Sequence, residues 1–260
     1  MKVVLFCGGL GSRLRALDRR RHARGVPPRD ERRGRDRRAY APTFPKALVP
    51  IGDHPIIWHL MRYYASFGHD EFVLCLGHGA ELIRDYLCEH EQDLGWQITL
   101  VDTGLDASVG ERLRRVASRV AGDEMFLANY SDGLSDLALD RYVDEFRSST
   151  AIGQLLCVRP SQTFHPVRVG PDGAVVELSP AREADLWING GFFVFRPEVF
   201  EHMHEGEDLV DEPFDRLIKL GQLRAQRYEG FWAAMDTMRD KVAFDETEAS
   251  GRAPWMVWKR

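Results

Sequence analysis

Between Lys2 and Ser149 the chain alternates short apolar runs with stretches of helical periodicity, and no other feature restricts its fold as much. The apolar runs are Lys2–Phe6, Glu71–Leu76, Gln97–Asp102 and Met125–Asn129. The helical stretches are Ile56–Phe67, with Pro55 suited to its first turn, then Ala80–Glu89, Glu111–Val120 and Ala138–Ser149. Strands alternating with helices predict an α/β fold, a mainly parallel central sheet with helices on both faces. In such sheets ligands bind at the carboxyl ends of strands. The glycine loop after the first strand and the turn at Asp132 after the fourth lie at such ends, so they are expected to face one cleft.

From Ile152 the pattern turns strand-rich, through IGQLLCV, VRV, AVVEL and INGGFFVF. Helical segments at Asp211–Leu220 and Asp240–Ala249 follow. The 260 residues suit one large α/β domain spanning 1–260, with a long loop over about 15–43 inside it. No apolar run reaches the roughly 18 residues of a membrane span. The N-terminal apolar run is only about five residues long and ends in glycines, which reads as a buried strand entering a loop rather than a signal peptide. Cys7, Cys75, Cys88 and Cys157 show no CxxC spacing, and three of them sit in apolar runs. Reduced core thiols in a cytoplasmic protein are the expectation.

The net charge of −5 is unevenly spread. Twelve arginines lie between Arg13 and Arg38 against four acids, so that segment carries +8 and the remainder −13. A basic stretch inside an acidic protein suggests a local anionic ligand. Nucleic acid is a poor fit, because Tyr40 alone supplies an aromatic platform there.

Gly8-Gly9-Leu10-Gly11-Ser12-Arg13-Leu14 follows the first strand. Its glycines allow close backbone approach, and its N–H groups can donate to a phosphate or base. It is no P-loop, since no Gly-Lys-Ser/Thr follows, and Leu14 stands where a dinucleotide fingerprint has its third glycine. A tight strand-to-loop turn explains it equally well. Lys46, one of five lysines, lies between Pro45 and Pro50 in FPKALVP. A held ammonium is a good point contact for a phosphate, although an ordinary surface lysine is the commoner case. Asp132 and Asp236 each border apolar sequence. Two carboxylates converging on one point suit a Mg²⁺-triphosphate, while separately each is more often a turn or cap residue.

Taken in order, GGLGSRL, FPKALVPIGDHPI, LVDTG, GERLRRV, YSDG, INGGFFVF, GFWAAMDT and APW resemble the sugar-1-phosphate nucleotidyltransferase family nearly end to end, and within it the glucose-1-phosphate cytidylyltransferases. The resemblance implies a Rossmann-like nucleotidyltransferase fold and transfer of a nucleoside monophosphate from a triphosphate, CTP in particular, to a sugar 1-phosphate with release of pyrophosphate. It implies Mg²⁺ held by Asp132 and Asp236, and phosphate contacts by the catalytic cations Arg13 and Lys46. Gly8, Gly9, Gly11, Arg13, Gly110 and Arg112 fall where the family binds the nucleotide. Tyr130, Asn189, Trp232 and Arg182 fall on the acceptor side. The partners implied are the triphosphate, the sugar phosphate and further copies of the chain, with no nucleic acid and no membrane.

Three departures stand out. The segment Arg15–Thr43 is longer and richer in arginine than the family's loop. The family's Glu-Lys-Pro, whose lysine contacts the sugar phosphate, has no lysine counterpart in Glu177-Leu178-Ser179-Pro180-Ala181-Arg182, and Arg182 is the replacement to hand. A Phe-Gly element becomes Phe164-His165. Two of these fall at the sugar end, so the acceptor is expected to be glucose 1-phosphate or a related sugar. A non-catalytic sugar-nucleotide-binding homologue is the alternative; retention of Arg13, Lys46, Asp132 and Asp236 argues against it.

Overall fold

The computed structural model describes residues 1–9, 44–90, 95–160, 165–181 and 185–259. The element order is β1 (Val3–Phe6), β2 (Pro50–Ile51), β3 (His54–Pro55), α1 (Ile56–Ala65), β4 (Glu71–Leu76), α2 (Ala80–His90) and β5 (Gln97–Asp102). Then come α3 (Val109–Arg115), α4 (Ala117–Val120), β6 (Phe126–Tyr130), β7 (Gly133–Ser135), α5 (Leu139–Arg147) and β8 (Gly153–Val158). The chain continues through β9 (Val167–Val169), β10 (Val175–Leu178), β11 (Ile188–Asn189), β12 (Phe193–Phe195), α6 (Glu212–Lys219), β13 (Leu223–Tyr228), β14 (Trp232–Ala234) and α7 (Met238–Ala249).

Eight strands form one sheet in the order β11-β8-β12-β6-β1-β4-β5, with β13 alongside β8. β1 pairs in parallel with β4 and β6, β4 with β5, and β13 with β8. Only β11 and β12 run antiparallel to their neighbours. The carboxyl ends of β1, β4, β5, β6, β8 and β13 therefore share one edge. β1 shows why its sequence is apolar without alternation: Val3 and Leu5 enter the core on one face of the sheet, Val4 and Phe6 the core on the other. The helices covering both faces supply the other half of each core; α5 buries Leu139, Tyr142, Val143 and Phe146, one stripe at helical spacing.

β4 and β5 match the sequence expectation end to end, and the helices match within a residue or two. The helix expected over Glu111–Val120 is instead two, α3 and α4. Val116 leaves helical geometry (φ −104°, ψ 6°), and its N–H donates to Leu113 O three residues back, a tight turn that buries Val116 and Val120 beside Leu113. The INGGFFVF run is likewise two strands. β13 and β14 were not foreseen, and β13 is the instructive case. LRAQRY lies largely exposed beside β8, so it carries no apolar run to betray it.

Cys7 and Cys75 are buried, Cys157 half-buried and Cys88 exposed, all as free thiols. Burial pushes the Cys75 thiol up to about 12, which keeps it inert. Among the described residues no helix is long and apolar enough to cross a membrane.

Candidate active site

At the carboxyl edge of the sheet the sequence-distant Lys46, Asp132 and Asp236 meet. Pro45, in extended conformation (φ −70°, ψ 137°), delivers Lys46 into a single 3-10 turn over Lys46–Leu48, whose Ala47 and Leu48 are buried. The Lys46 Nζ donates to Asp132 Oδ2 at 2.5 Å and to Asp236 Oδ1 at 2.8 Å. Burial alone would lower the lysine's pKa. The charges and hydrogen bonds of Asp132 and Asp236 outweigh it and hold the pKa above the ordinary value, so the group stays an ammonium.

Each carboxylate is placed by backbone. Asp132 occupies the turn between β6 and β7. β7 pairs antiparallel with β14, and the ladder ends with Met235 N–H donating to Asp132 O at 2.9 Å, which sets Asp236 beside Asp132. Asp236 immediately precedes the capping box of α7, in which Thr237 Oγ1 accepts from Asp240 N–H. The Asp240 Oδ2 accepts from Asp236 N, Thr237 N and Thr237 Oγ1 at 3.0, 2.7 and 2.9 Å. Asp240 thus fixes the backbone that carries Asp236, a role the sequence signalled only through its Thr-x-x-Asp spacing.

On the neighbouring strand ends, Gly8 and Gly9 follow β1. Arg112, 4% exposed, stands behind them. Its Nη1 donates to Leu76 O, Thr103 Oγ1 and Gly104 O at 3.0, 2.6 and 2.9 Å, and its Nη2 to Gly8 O and Leu105 O at 3.1 and 3.2 Å. These acceptors lie at the end of β4 and just after β1 and β5, so one guanidinium ties three strand ends together. A Cβ on Gly8 would fall 2.1 Å from Arg112 Nη1, so the glycine is needed for this approach. Among the described residues nothing lies within 4 Å of where a Cβ on Gly9 would be. Gly110 plays a similar part: its Cβ would meet Glu207 O at 2.5 Å, so it lets α3 press onto the 207–209 segment. Ser108 caps α3 by accepting from Glu111 N–H and donates in turn to Glu207 O. In this structure Gly110 and Arg112 organise this end of the edge from behind.

At the other end, Asn189 Nδ2 donates to Tyr130 OH at 3.3 Å, and Trp232 Nε1 donates to Gly190 O at 2.8 Å. Burial pushes the Tyr130 phenol up to about 12, so it remains a neutral donor and acceptor. Tyr130, Asn189 and Trp232 are therefore together, within reach of Asp132 two residues from Tyr130. Gly11, Arg13, the Arg15–Thr43 loop, Phe164 and Arg182 lie outside the described residues. His165 is described and exposed. Sequence reasoning assigned no role to Thr103, although it lies within LVDTG, or to Asn129, a lone amide at the end of an apolar run.

Two carboxylates turned toward one cation make an all-oxygen pair of the kind Mg²⁺ takes, with phosphate oxygens and water completing its shell. Among the described residues no group of three or more His, Cys, Asp or Glu forms a closed metal cage.

No family model matches the chain. The glucose-1-phosphate cytidylyltransferase of Salmonella typhimurium is 31% identical over 281 residues, covering 100% of this chain and 100% of that one. The mannose-1-phosphate guanyltransferase of Neurospora crassa is 23% identical over 252 residues, 92% of this chain and 62% of that one. The solved structure of a UDP-glucose pyrophosphorylase complexed with UDP-glucose is similar in fold, with a TM-score of 0.67 at 13% identity over 96% of this chain and 99% of that one.

Proposed function

The chain belongs to the sugar-1-phosphate nucleotidyltransferase family, and on that premise we propose that it transfers a cytidylyl group from CTP to glucose 1-phosphate or a related sugar 1-phosphate. The observation that carries this reading is the convergence of Lys46, Asp132 and Asp236 at the carboxyl edge of the sheet. The full-length relative at 31% identity supports CTP and glucose 1-phosphate as the pair to test first.

In the reaction a phosphate oxygen of the sugar 1-phosphate attacks the α-phosphorus of the triphosphate in line. The new P–O bond forms as the bond from the α-phosphorus to the bridging oxygen breaks, and that oxygen leaves with pyrophosphate carrying the electron pair. The nucleophile is already an anion at neutral pH, so no general base is required. Catalysis is positioning plus charge neutralisation. Asp132 and Asp236 would hold Mg²⁺, which when bound offsets the charge of the triphosphate. Lys46, kept protonated between the two carboxylates, is the second fixed positive group, and Arg13 the third. Gly8 and Gly9 leave backbone room for the nucleotide, and Arg112 holds their loop in place. Tyr130, Asn189, Trp232 and Arg182 form the acceptor side, where the lysine missing before the Asn189 strand allows a sugar other than glucose.

The test is a matrix of five nucleoside triphosphates against several sugar 1-phosphates, scored by pyrophosphate release with Mg²⁺ present. CTP with glucose 1-phosphate or a close relative should give the highest rate. Absence of pyrophosphate with every pair would overturn transfer, and a clear preference for another triphosphate would overturn the cytidylyl assignment.

A further inference from the structure

β11 and β12 are two parts of one run that pairs antiparallel with β8. Asn189 faces Cys157 and Val194 faces Gln154, so five steps along this run match three along β8. The surplus is a two-residue bulge at Gly190–Phe192. Its backbone is left-handed twice in succession, at Gly191 (φ 75°) and at Phe192 (φ 49°). Phe192 is the one non-glycine with positive φ among the described residues, a conformation that costs a bulky side chain energy and persists only where its surroundings impose it.

Asn129 imposes it. This carboxamide is 1% exposed in β6. Its Oδ1 accepts from Phe192 N–H at 3.0 Å and from Tyr130 N–H at 2.9 Å. Its Nδ2 donates to Tyr64 OH at 3.1 Å. A Cβ on Gly191 would fall 2.4 Å from Asn129 Oδ1, so contact and φ both demand glycine there. One buried oxygen thus joins the strand that leads to Asp132 with the bulge. Three of the four residues assigned above to the acceptor side, Tyr130, Asn189 and Trp232, connect to the same bulge. Gly191 N–H donates to Asn189 Oδ1 at 2.9 Å, Asn189 reaches Tyr130 OH, and Trp232 bonds Gly190 O.

We propose that Asn129 is the positioning residue of the acceptor pocket: it holds the Gly191–Phe192 bulge in its left-handed form and so sets Asn189 and Trp232 against Tyr130. The inference rests on the acceptor reading of Asn189 given above. Asn129 touches no substrate; without its Oδ1, Phe192 relaxes toward extended backbone and carries Asn189 away from Tyr130.

The experiment compares wild type with Asn129→Ala, Asn129→Asp, Gly191→Ala and Asn189→Ala, using CTP and glucose 1-phosphate. Aspartate keeps an acceptor oxygen in place, and the Tyr64 hydroxyl can turn to donate to the other. Asn129→Ala should raise the acceptor KM about tenfold or more and leave the triphosphate KM within about twofold. Asn129→Asp should recover most of that loss. Gly191→Ala, whose methyl displaces Oδ1, should reproduce the split should Asn129→Ala fail to fold. Equal rises in both KM values, or a lower melting temperature with unchanged acceptor KM, would overturn the proposal. Asn189→Ala separates the two levels: if it leaves the acceptor KM untouched while Asn129→Ala raises it, the acceptor role of Asn189 is what fails.

Discussion

Replacing Arg112 by methionine removes five hydrogen bonds while keeping most of the side-chain volume. Three acceptors, Leu76 O, Thr103 Oγ1 and Gly8 O, are engaged in a buried setting; Gly104 O and Leu105 O are partly open to water and can be rehydrated. Leu76 O keeps the Thr103 N–H and hydroxyl, and Gly8 O keeps the His78 N–H, so the loss at each site is that of one hydrogen bond, about 1–1.5 kcal/mol net. Three of them give about 3–4.5 kcal/mol, from which relief of burying the guanidinium, already reflected in its lowered pKa, takes back part. A net loss of about 2–3 kcal/mol corresponds, at roughly 2 °C per kcal/mol for a chain of this size, to a fall in Tm of about 4–6 °C. Scanning calorimetry measures it. The same substitution removes the Arg112 tie to Gly8 O, leaving only the His78 N–H on it, so the KM for the triphosphate should rise several-fold with the acceptor KM little changed. A lysine at 112 supplies at most three donors from a point charge and should restore only part of either property. A Tm drop below about 2 °C with an unaltered triphosphate KM would refute the idea that Arg112 holds the three strand ends.

Asp132→Asn and Asp236→Asn keep the shape of the site and remove half its negative charge; each should cost about 10²-fold in kcat, and near-normal turnover in both would rule out the metal assignment. Gly110→Ala brings a methyl against the Glu207 carbonyl, so urea titration should show a loss of about 1–3 kcal/mol, and an unchanged midpoint would mean that α3 does not bear on that segment. His59 is pushed down to about 4 by burial, its Nε2 on Ile51 O and its Nδ1 accepting from the Trp255 indole. The unfolded chain takes up the proton below about 6.5, so the stability this neutral ring contributes is present at pH 7 and is lost as pH falls toward 4, by about 2 kcal/mol at pH 5. His59→Gln should flatten the stability profile by that amount between pH 7 and 5, while His69, also pushed down to about 4, continues to titrate in both proteins; superimposable profiles would show that His59 plays no part.

The parts of this fold that the sequence announced are those buried on both sides or striped on one. β1, β4, β6 and α5 declare themselves because core packing dictates their pattern. β13 does not, since an exposed edge strand needs only backbone pairing, which leaves no mark on residue type. The site divides the same way. Lys46, Asp132 and Asp236 are each ambiguous alone and become legible through the resemblance carried by the ordered motifs, and the structure brings them together. Arg112 falls, by the family resemblance, where the nucleotide is bound, and it stands behind the glycines with its donors given to four carbonyls and the Thr103 hydroxyl. Charge at a position says nothing about which side of a loop it serves. Asn129 was silent altogether, because a buried amide between apolar neighbours looks the same whether it fills space or bends another strand.

Lys46 meets Asp132 across 86 residues of sequence and Asp236 across 190. β14, α7 and the buried Trp255 that packs on His59 all come from the far end of that span. A nascent chain can therefore lay down β1, β4, β5 and β6 and own a glycine loop and one carboxylate long before the second carboxylate exists. Contacts this distant in sequence form late and slowly. Until they do, a half-synthesised chain holds the Lys46–Asp132 pair without Asp236, and the three side chains meet only once the segment carrying β14 and α7 has docked.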